Sequence, residues 1–167
     1  MKKWVLSIFL IFATIIFAQE RAHPITTFEL GWMNNLEDAK ELAQKQKKPI
    51  ILFLHSKRCF YCPKLIENVF PKPKVRKFLK DNFIQLSLDT STGSDSIEED
   101  TADQAPERFI VSMTPAFVFM GPNEEKLARK GKKHMIIYGY WNEDELIKWG
   151  EIALKRFKKL YGEKYAK

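Results

Sequence analysis

The chain has 167 residues, 45% of them hydrophobic and 29% charged, and its formal net charge is +7 at pH 7. This length suits one domain with a sizeable core. The positive excess is spread over two separate predicted helices, so we expect solvated helix faces and no nucleic-acid partner, with at most a weak preference for anionic partners or membrane surfaces. The cations concerned are Lys72, Lys74, Arg76, Lys77 and Lys80 on the first helix and Lys155, Arg156, Lys158 and Lys159 on the second.

The first 18 residues have the three parts of a secretory signal. Two lysines give a positive start, residues 4–17 are almost wholly apolar, and Ala18 places a small residue just before the expected cleavage point. The apolar run is shorter than the roughly 20 residues that a spanning helix needs, although an uncleaved anchor stays open as an alternative. We therefore expect a periplasmic or otherwise exported protein, with a signal over 1–18 and a single domain over 19–167.

Predicted strands and helices alternate along the first half of this domain. Asn34 or Asn35 is suited to cap the first helix. Residues 50–54 are hydrophobic without a break, as expected for a strand that is covered on both faces. The predicted elements are a strand over 26–30, a helix that begins at 34 or 35 and ends in 45–49, a strand over 50–54, helices over 59–70 and 74–81, and a strand over 83–88.

The second half begins with a polar, acidic segment over 90–103, which is too long for a plain connection and indicates a surface loop or insertion. Its acidic part lacks the regular ligand spacing of a calcium loop, so we expect no metal site there. Asn142 is suited to cap the last helix. The other predicted elements are a helical piece over 104–109, a strand over 116–120, a turn over 121–123, a returning strand over 127–138 interrupted at 130–133, and a helix with the buried stripe Leu146, Trp149, Ile152, Ala153 and Phe157. This order predicts an α/β fold in which helices flank both faces of a central mixed sheet.

Cys59 and Cys62 are the only cysteines, and they form a C-x-x-C pair soon after the apolar strand. In an oxidising compartment cysteines usually form structural bridges, but so tight a loop constrains the unfolded chain very little. A strand that leads into C-x-x-C at the start of a helix indicates a redox dithiol.

The spacing also predicts different roles for the two sulfurs. Cys59 is expected at the helix start, where free N–H groups, the helix dipole and the adjacent Lys57 and Arg58 stabilise a thiolate. Because the thiolate is the attacking species, Cys59 is the predicted nucleophile. Cys62 is expected to point into the protein and to resolve the mixed disulfide by attacking Cys59.

Four motifs now carry a resemblance to a known family. They are the strand–C-x-x-C junction, Met113-Thr114-Pro115, Glu67-Asn68-Val69-Phe70-Pro71 running into Val75, and Tyr138-Gly139-Tyr140-Trp141. With them, residues 26–157 resemble a thioredoxin-fold domain, similar to the exported thioredoxin-related and disulfide-bond-family oxidoreductases.

The resemblance implies a three-layer fold and the positions of several binding residues. It implies that Pro115 is cis and lies against the dithiol, and that the backbone of Thr114 pairs with a substrate peptide. Gly139 falls near the place where the family's substrate groove closes. Phe60 and Tyr61 either form an exposed apolar rim for substrates or pack partly against Tyr140 or Trp141.

The chain departs from the thioredoxin pattern at several positions. Phe53 stands where thioredoxin has a buried acid that assists the second cysteine, and His55 stands where a tryptophan is usual. Gln85 occupies the place of a frequent lysine, and Pro63 follows the dithiol directly. His55 is therefore a candidate for proton transfer, with a packed residue at the end of a buried strand as the alternative.

Taken together, these features favour a monomeric thiol-disulfide oxidoreductase that reduces disulfides in exported proteins, needs no cofactor, and is kept reduced by a membrane electron donor. Thr114 before the proline and Tyr61 before the second cysteine resemble the reducing and isomerising members more than the strong oxidants. A disulfide oxidant or an isomerase remains an alternative within the family. A copper(I) chaperone that uses Cys59, Cys62 and His55 or Met113 is the alternative from another class.

Overall fold

The structure is a computed structural model, and it describes residues 26–91, 105–125, 127 and 135–165. Four strands and four helices follow one another along these residues. They are α1 (Leu36–Gln46), β1 (Ile50–His55), α2 (Cys62–Asn68), α3 (Pro73–Asn82), β2 (Ile84–Asp89), a 3-10 turn (Glu107–Phe109), β3 (Ala116–Met120), β4 (Met135–Tyr138) and α4 (Glu143–Tyr165).

The strands form one mixed sheet in the order β2-β1-β3-β4. β1 pairs in parallel with β2 and antiparallel with β3, and β3 pairs antiparallel with β4. In this register Leu54, near the end of β1, lies between Leu88 and Ala116. The segment after β1 and the segment before β3 therefore meet at one edge of the sheet. The predicted α/β fold with a mixed sheet is confirmed.

The side chains of β1 alternate between two cores. Ile51 and Phe53 belong to a core that includes residues of α2, α3 and α4, whereas Ile50, Leu52 and Leu54 belong to a core that includes residues of α1 and the 3-10 turn. All five side chains are fully buried. Helices therefore cover both faces of the sheet, which explains why β1 is hydrophobic without a break.

Asparagine caps define the starts of the first and last helices, as predicted. The Asn35 side chain accepts hydrogen bonds from the backbone N–H groups of Glu37 and Asp38. Asn142 and Glu145 form a reciprocal capping box, in which each backbone N–H donates to the other side chain at 3.0 Å. α4 extends to Tyr165, beyond the expected core boundary at 157, because Tyr161 is also buried in the core.

Two predicted elements are wrong in position. The helix expected from Cys59 begins at Cys62. Pro63 has no N–H to donate to the carbonyl of Cys59, so an α-helical turn cannot begin there. The strand expected over 26–30 is a hydrogen-bonded turn that ends at Gly31, whose φ is +85°; an isolated parallel bridge forms instead between Met33 and Leu86.

The predicted signal over 1–18, the part of the polar, acidic segment over 92–103 and the interruption of the returning strand at 130–133 lie outside the described residues. Of that returning strand, the structure describes β4, whereas Leu127, its expected first residue, is not in a strand. Among the residues it describes, none of the helices combines the length and the apolar character needed to cross a bilayer.

Candidate active site

The two cysteines lie in the segment that follows β1 and are joined by a disulfide, with 5.4 Å between their Cα atoms. Two turns shape this segment. The backbone N–H of Cys59 donates to the carbonyl of Ser56 at 3.0 Å, and that of Cys62 donates to the carbonyl of Cys59 at 3.4 Å. Cys59 therefore occupies the turn that precedes α2, and Cys62 is the first residue of the helix.

A backbone hydrogen bond distinguishes the two sulfurs. The N–H of Cys62 points at Sγ of Cys59, with 3.1 Å between nitrogen and sulfur. This donor would stabilise a negative charge on Cys59 once the disulfide is reduced. Cys59 is 6% exposed and Cys62 is 3% exposed, so both are buried in the disulfide form. Their exposure follows the predicted order, but the difference is too small to distinguish their roles.

A side-chain hydrogen bond connects the dithiol segment to the segment before β3. The hydroxyl oxygens of Ser56 and Thr114 are 2.8 Å apart. The peptide bond between Thr114 and Pro115 is cis, and Pro115 is buried. Gly139 donates its backbone N–H to the carbonyl of Pro115 at 2.9 Å. Three of the predicted binding residues, Thr114, Pro115 and Gly139, are thus adjacent to one another.

Gly139 follows β4 with a φ of +109°. Residues with a Cβ rarely adopt this backbone conformation, so glycine is the residue that suits this position. The turn that it makes leads from β4 to Tyr140 and Trp141. Trp141 is buried and stacks on Phe117 of β3, with 4.3 Å between the ring centroids.

Two hydroxyl residues after β2 hold the start of the dithiol segment. Thr90 donates its backbone N–H and its hydroxyl to the carbonyl of His55, at 2.8 and 3.0 Å. The hydroxyl of Ser91 accepts the backbone N–H of Lys57 at 3.0 Å. No motif in the sequence had indicated Ser56, Thr90 or Ser91 as site residues. The sequence did contain one sign of their role, namely their position directly after two strands that pair in parallel. The carboxyl ends of such strands lie side by side, so the residues that follow them come close together.

These segments enclose a small polar cavity of about 170 Å³ beside the dithiol segment. It is lined by Ser56, Arg58, Thr90, Ser91, Val111, Ser112, Met113 and Thr114. Met113, proposed as a copper ligand in the alternative function, is 59% exposed at this cavity. Among the described residues, no three His, Cys, Asp or Glu side chains come together as a metal site would require.

An aromatic rim borders the dithiol on the side of α2. Phe60 is 71% exposed and Tyr61 is 48% exposed. Tyr61 also contacts Tyr140, with 5.8 Å between ring centroids, and the ammonium of Lys64 lies 4.4 Å from the centre of the Phe60 ring. Both expectations therefore hold in part, since the rim is exposed while Tyr61 packs against Tyr140. Trp141, the other expected contact, lies in the core.

The buried surroundings of the dithiol are apolar. Phe53 is fully buried and belongs to the same core cluster as Cys59 and Cys62. Among the described residues, the buried polar side chains are Ser87, Thr90 and Ser91, and none of them is a carboxylate. His55 lies two residues further along the same face of β1, and its ring centre is 5.6 Å from that of Phe53. The half-buried imidazole is thus the titratable side chain that β1 presents on the face carrying the dithiol.

Comparison with known proteins agrees with this geometry. A protein-family model described as thioredoxin-like matches residues 31–122, a span that includes the C-x-x-C pair and Thr114–Pro115. The structure resembles a solution structure of a thioredoxin from Thermus thermophilus, with a TM-score of 0.56, 20% sequence identity, and coverage of 80% of this chain and 95% of that one.

A second similar structure is that of the DsbH oxidoreductase. Its TM-score is 0.53 and its sequence identity 18%, and the match covers 74% of this chain and 83% of that one. At these identities the two structures support the fold. No protein with curated annotation matches the sequence significantly.

Proposed function

Since the chain belongs to the thioredoxin-like family, we propose that it is an exported thiol-disulfide oxidoreductase that reduces disulfide bonds in other exported proteins. The observation that carries this proposal is the Cys59–Cys62 disulfide, in which the N–H of Cys62 points at the sulfur of Cys59. A structural bridge across two intervening residues would add little stability. A pair that is polarised in this way suits reversible exchange.

The reducing reaction begins with the dithiol form. The Cys59 thiolate attacks one sulfur of a substrate disulfide, the substrate S–S bond breaks, and the departing sulfur takes up a proton. Cys59 and the substrate are then joined by a mixed disulfide. The Cys62 thiolate next attacks Sγ of Cys59, which forms the Cys59–Cys62 disulfide and releases the second substrate sulfur as a thiol. Two electrons pass to the substrate.

We assign substrate contacts to the residues that surround the dithiol. Phe60 and Tyr61 offer exposed apolar area, which suits partly unfolded or extended chains. The hydroxyl of Thr114 is hydrogen-bonded to that of Ser56, so Thr114 and Pro115 lie beside the dithiol segment. Their backbone groups are available to pair with an extended peptide. Gly139 donates its backbone N–H to the carbonyl of Pro115, and we assign it to the end of the substrate groove on this side.

The residues around Cys59 support the reducing direction. A strong oxidant stabilises its reduced form, and its thiolate therefore has several stabilising partners. Here the described hydrogen bond to Sγ of Cys59 comes from a single backbone N–H. Lys57 and Arg58 also favour the thiolate, but both side chains are exposed, so water and salt screen their charges. The residues between the cysteines, Phe60 and Tyr61, include no histidine.

We further assign His55 to proton transfer at the dithiol. Deprotonation of Cys62 is required for the resolving step, and Phe53 offers no acceptor. A neutral imidazole is suited to accept this proton near neutral pH. His55 stands two residues beyond Phe53 on the same face of β1, which is our reason for giving it this role.

The proposed cellular setting rests on residues 1–18, whose pattern is that of a secretory signal. In an oxidising compartment the Cys59–Cys62 disulfide needs a source of electrons after each turnover, so we propose a membrane protein with its own dithiol as the donor. We propose that the protein acts as a monomer on exported proteins that carry disulfides.

Insulin reduction with a thiol donor tests this function. We expect wild-type protein to reduce the insulin disulfides, the Cys59→Ser variant to be inactive, and the Cys62→Ser variant to accumulate mixed disulfides. Net oxidation of reduced ribonuclease, or reshuffling of its scrambled form, without insulin reduction would favour the oxidant or the isomerase. Stoichiometric copper(I) binding without disulfide exchange would favour the copper chaperone.

A further inference from the structure

A basic surface lies around two shallow grooves of about 300 Å³ each, of which the first lies beside β2 and α3 and the second lies at the end of the fold opposite the dithiol. We use the name basic surface for the six cations that line these grooves. They are Arg76, Lys77 and Lys80 on the first groove and Lys47, Lys48 and Lys158 on the second. The ammonium of Lys48 donates to the carbonyl of Lys80 at 3.0 Å, so the two grooves adjoin.

Strand direction places the second groove away from the dithiol, whereas Trp32 and Phe70 of the first groove pack against Phe53 in the core that also contains the two cysteines. Lys47 and Lys48 directly precede β1, whereas Cys59 follows it. The second groove also contains Asp81 and Asn82, which precede β2, and β1 and β2 are parallel. The second groove and the dithiol are therefore separated by the six residues of β1, a length of about 20 Å.

The charge of the basic surface is only partly neutralised within the domain. The carboxylates that line its grooves are Glu29 and Asp81. Asp81 forms an ion pair with Lys77 at 2.8 Å. In the ranges that the structure describes, no carboxylate forms an ion pair with Arg76, Lys80 or Lys158.

The other cations near the start of α3 behave differently. Lys72 and Lys74 form ion pairs with the first turn of α4, through Glu143 and Asp144. On the side of α3 that faces the grooves, Lys77 pairs with Asp81, whereas Arg76 and Lys80 are left without a matching carboxylate among the described residues. The grooves therefore keep a net positive charge.

The floors of both grooves are apolar. Trp32 and Phe70 lie beneath the cations of the first groove, and Leu154, Phe157 and Tyr161 lie beneath those of the second. Long lysine stems over an apolar floor can place their ammonium groups at a flat anionic surface while their methylene groups stay packed.

We propose that the basic surface binds the anionic phospholipid headgroups of a membrane and so directs the dithiol away from the bilayer. Charge complementarity supports this partner, because lysines and arginines close to an anionic bilayer each favour binding. A domain bound through the second groove would present Cys59 about 20 Å from the lipid headgroups. It would thereby hold the dithiol at a constant distance from partners in the same membrane.

The composition of the surface favours lipid over an acidic protein partner. Protein interfaces are enriched in aromatic side chains and arginine and are depleted in lysine. Five of the six cations in the basic surface are lysines. Large apolar side chains that are also highly exposed are absent from the lining of both grooves, among the residues that the structure describes.

Cosedimentation of the full-length protein with vesicles tests the proposal. One set of vesicles contains phosphatidylcholine alone, and the other contains about one third phosphatidylglycerol. The ratio of the two partition coefficients removes the contribution of the apolar residues 4–17, which is common to both. We expect the wild-type protein to prefer the anionic vesicles and to lose this preference as salt is added.

Matched charge reversals locate the binding surface. We expect the ratio to fall at least 25-fold, or about fivefold for each cation lost, in Arg76→Glu/Lys80→Glu and in Lys48→Glu/Lys158→Glu. The control Lys57→Glu/Lys64→Glu changes the net charge equally at the dithiol end, and its ratio should fall by less than about fivefold. Circular dichroism checks that each variant is folded. The pair on α3 leaves the Lys48 hydrogen bond intact, because its acceptor is the Lys80 backbone.

Three results would overturn the proposal. The first is that the wild-type protein shows no preference for anionic vesicles. The second is that the control pair loses as much binding as the two groove pairs. Displacement from the vesicles by soluble polyglutamate at matched charge would instead identify an acidic protein as the better partner.

Discussion

Ser56 and Thr114 are 58 residues apart in the sequence, and their side-chain oxygens lie 2.8 Å from each other. Ser56 begins the turn that carries Cys59, and Thr114 directly precedes the cis peptide bond to Pro115. This hydrogen bond therefore connects the two segments to which we assign nucleophile and substrate backbone. Register explains how it arises, because β1 ends beside the start of β3.

A double-mutant cycle measures this connection. We expect Ser56→Ala and Thr114→Val each to lower the free energy of unfolding of the oxidised protein by about 1 kcal/mol, since each leaves a half-buried hydroxyl without its partner. The double variant should lose less than the sum, with a coupling of at least about 0.5 kcal/mol. Urea unfolding gives these values. Additive losses would mean that the two hydroxyls do not interact in solution.

The two cysteines should differ in reactivity when the protein is reduced. We expect iodoacetamide at mildly acidic pH to label Cys59 first, because the backbone N–H of Cys62 stabilises the Cys59 thiolate. Lys57 and Arg58 lie beside Cys59 in the sequence and favour the same charge. Peptide mapping by mass spectrometry identifies the labelled sulfur. Faster labelling of Cys62 would reverse the assigned roles.

The reduction potential should distinguish a reductase from an oxidant. We expect a value closer to the roughly −270 mV of thioredoxin than to the roughly −120 mV of a strong oxidant, because a single described N–H contacts Sγ of Cys59. Equilibration with glutathione or dithiothreitol gives the potential, and thiol trapping after acid quench gives the state in cells. We expect a mostly reduced pair. A mostly oxidised pair with a potential near the oxidant value would contradict the proposed direction.

Substitution of His55 should slow the resolving step while leaving the first attack almost unchanged. We expect His55→Gln to slow release of a preformed mixed disulfide by about 10- to 100-fold near pH 7, since general base catalysis contributes on this scale. Stopped-flow fluorescence follows both steps.

The control for His55 is a variant that keeps the ring packing against Phe53 but cannot accept a proton. His55→Phe serves this purpose. If His55 is only a packing residue, His55→Phe should resolve the mixed disulfide at the wild-type rate. Equal slowing in His55→Phe and His55→Gln supports proton transfer.

Acid stability should depend on Glu124. Arg108 donates two hydrogen bonds to this carboxylate, at 2.6 and 2.7 Å, and with Lys40 it holds the pKa of Glu124 below the ordinary value of 4.5. Because the folded-state pKa is lowered, the carboxylate adds stability above about pH 4.5, and this contribution is lost as the pH falls through the folded-state value. We expect Glu124→Gln to cost about 1 kcal/mol at pH 7.

The difference between wild type and Glu124→Gln should disappear below the folded-state pKa, which urea unfolding at a series of pH values can follow. The control is Asp81→Asn, which removes the exposed ion pair with Lys77. We expect no measurable loss of stability in this control, because water and salt screen exposed pairs. An equal pH dependence in both variants would argue against a specific contribution from Glu124.

Much of the fold follows from signals that act between near neighbours in the sequence. The unbroken apolar run over 50–54 indicated a strand buried on both faces, and β3 was predicted with its observed bounds, Ala116–Met120. Asn35 and Asn142 cap their helices because the capping oxygen and the N–H groups lie within three residues of each other. The C-x-x-C pair indicated a dithiol for the same local reason. The late start of α2 was also a local effect, which the missing N–H of Pro63 explains.

The arrangement around the dithiol was decided only by the tertiary structure. The contacts of Ser56 with Thr114, of Thr90 with His55 and of Tyr61 with Tyr140 join segments whose separation in the sequence allows many pairings. Which pairing forms depends on strand order and register, which in turn depend on the burial of both faces of the sheet at once. The sequence by itself therefore determined the elements and the reactive pair. The packing of those elements decided which side chains surround the pair and which lysines gather around the two basic grooves.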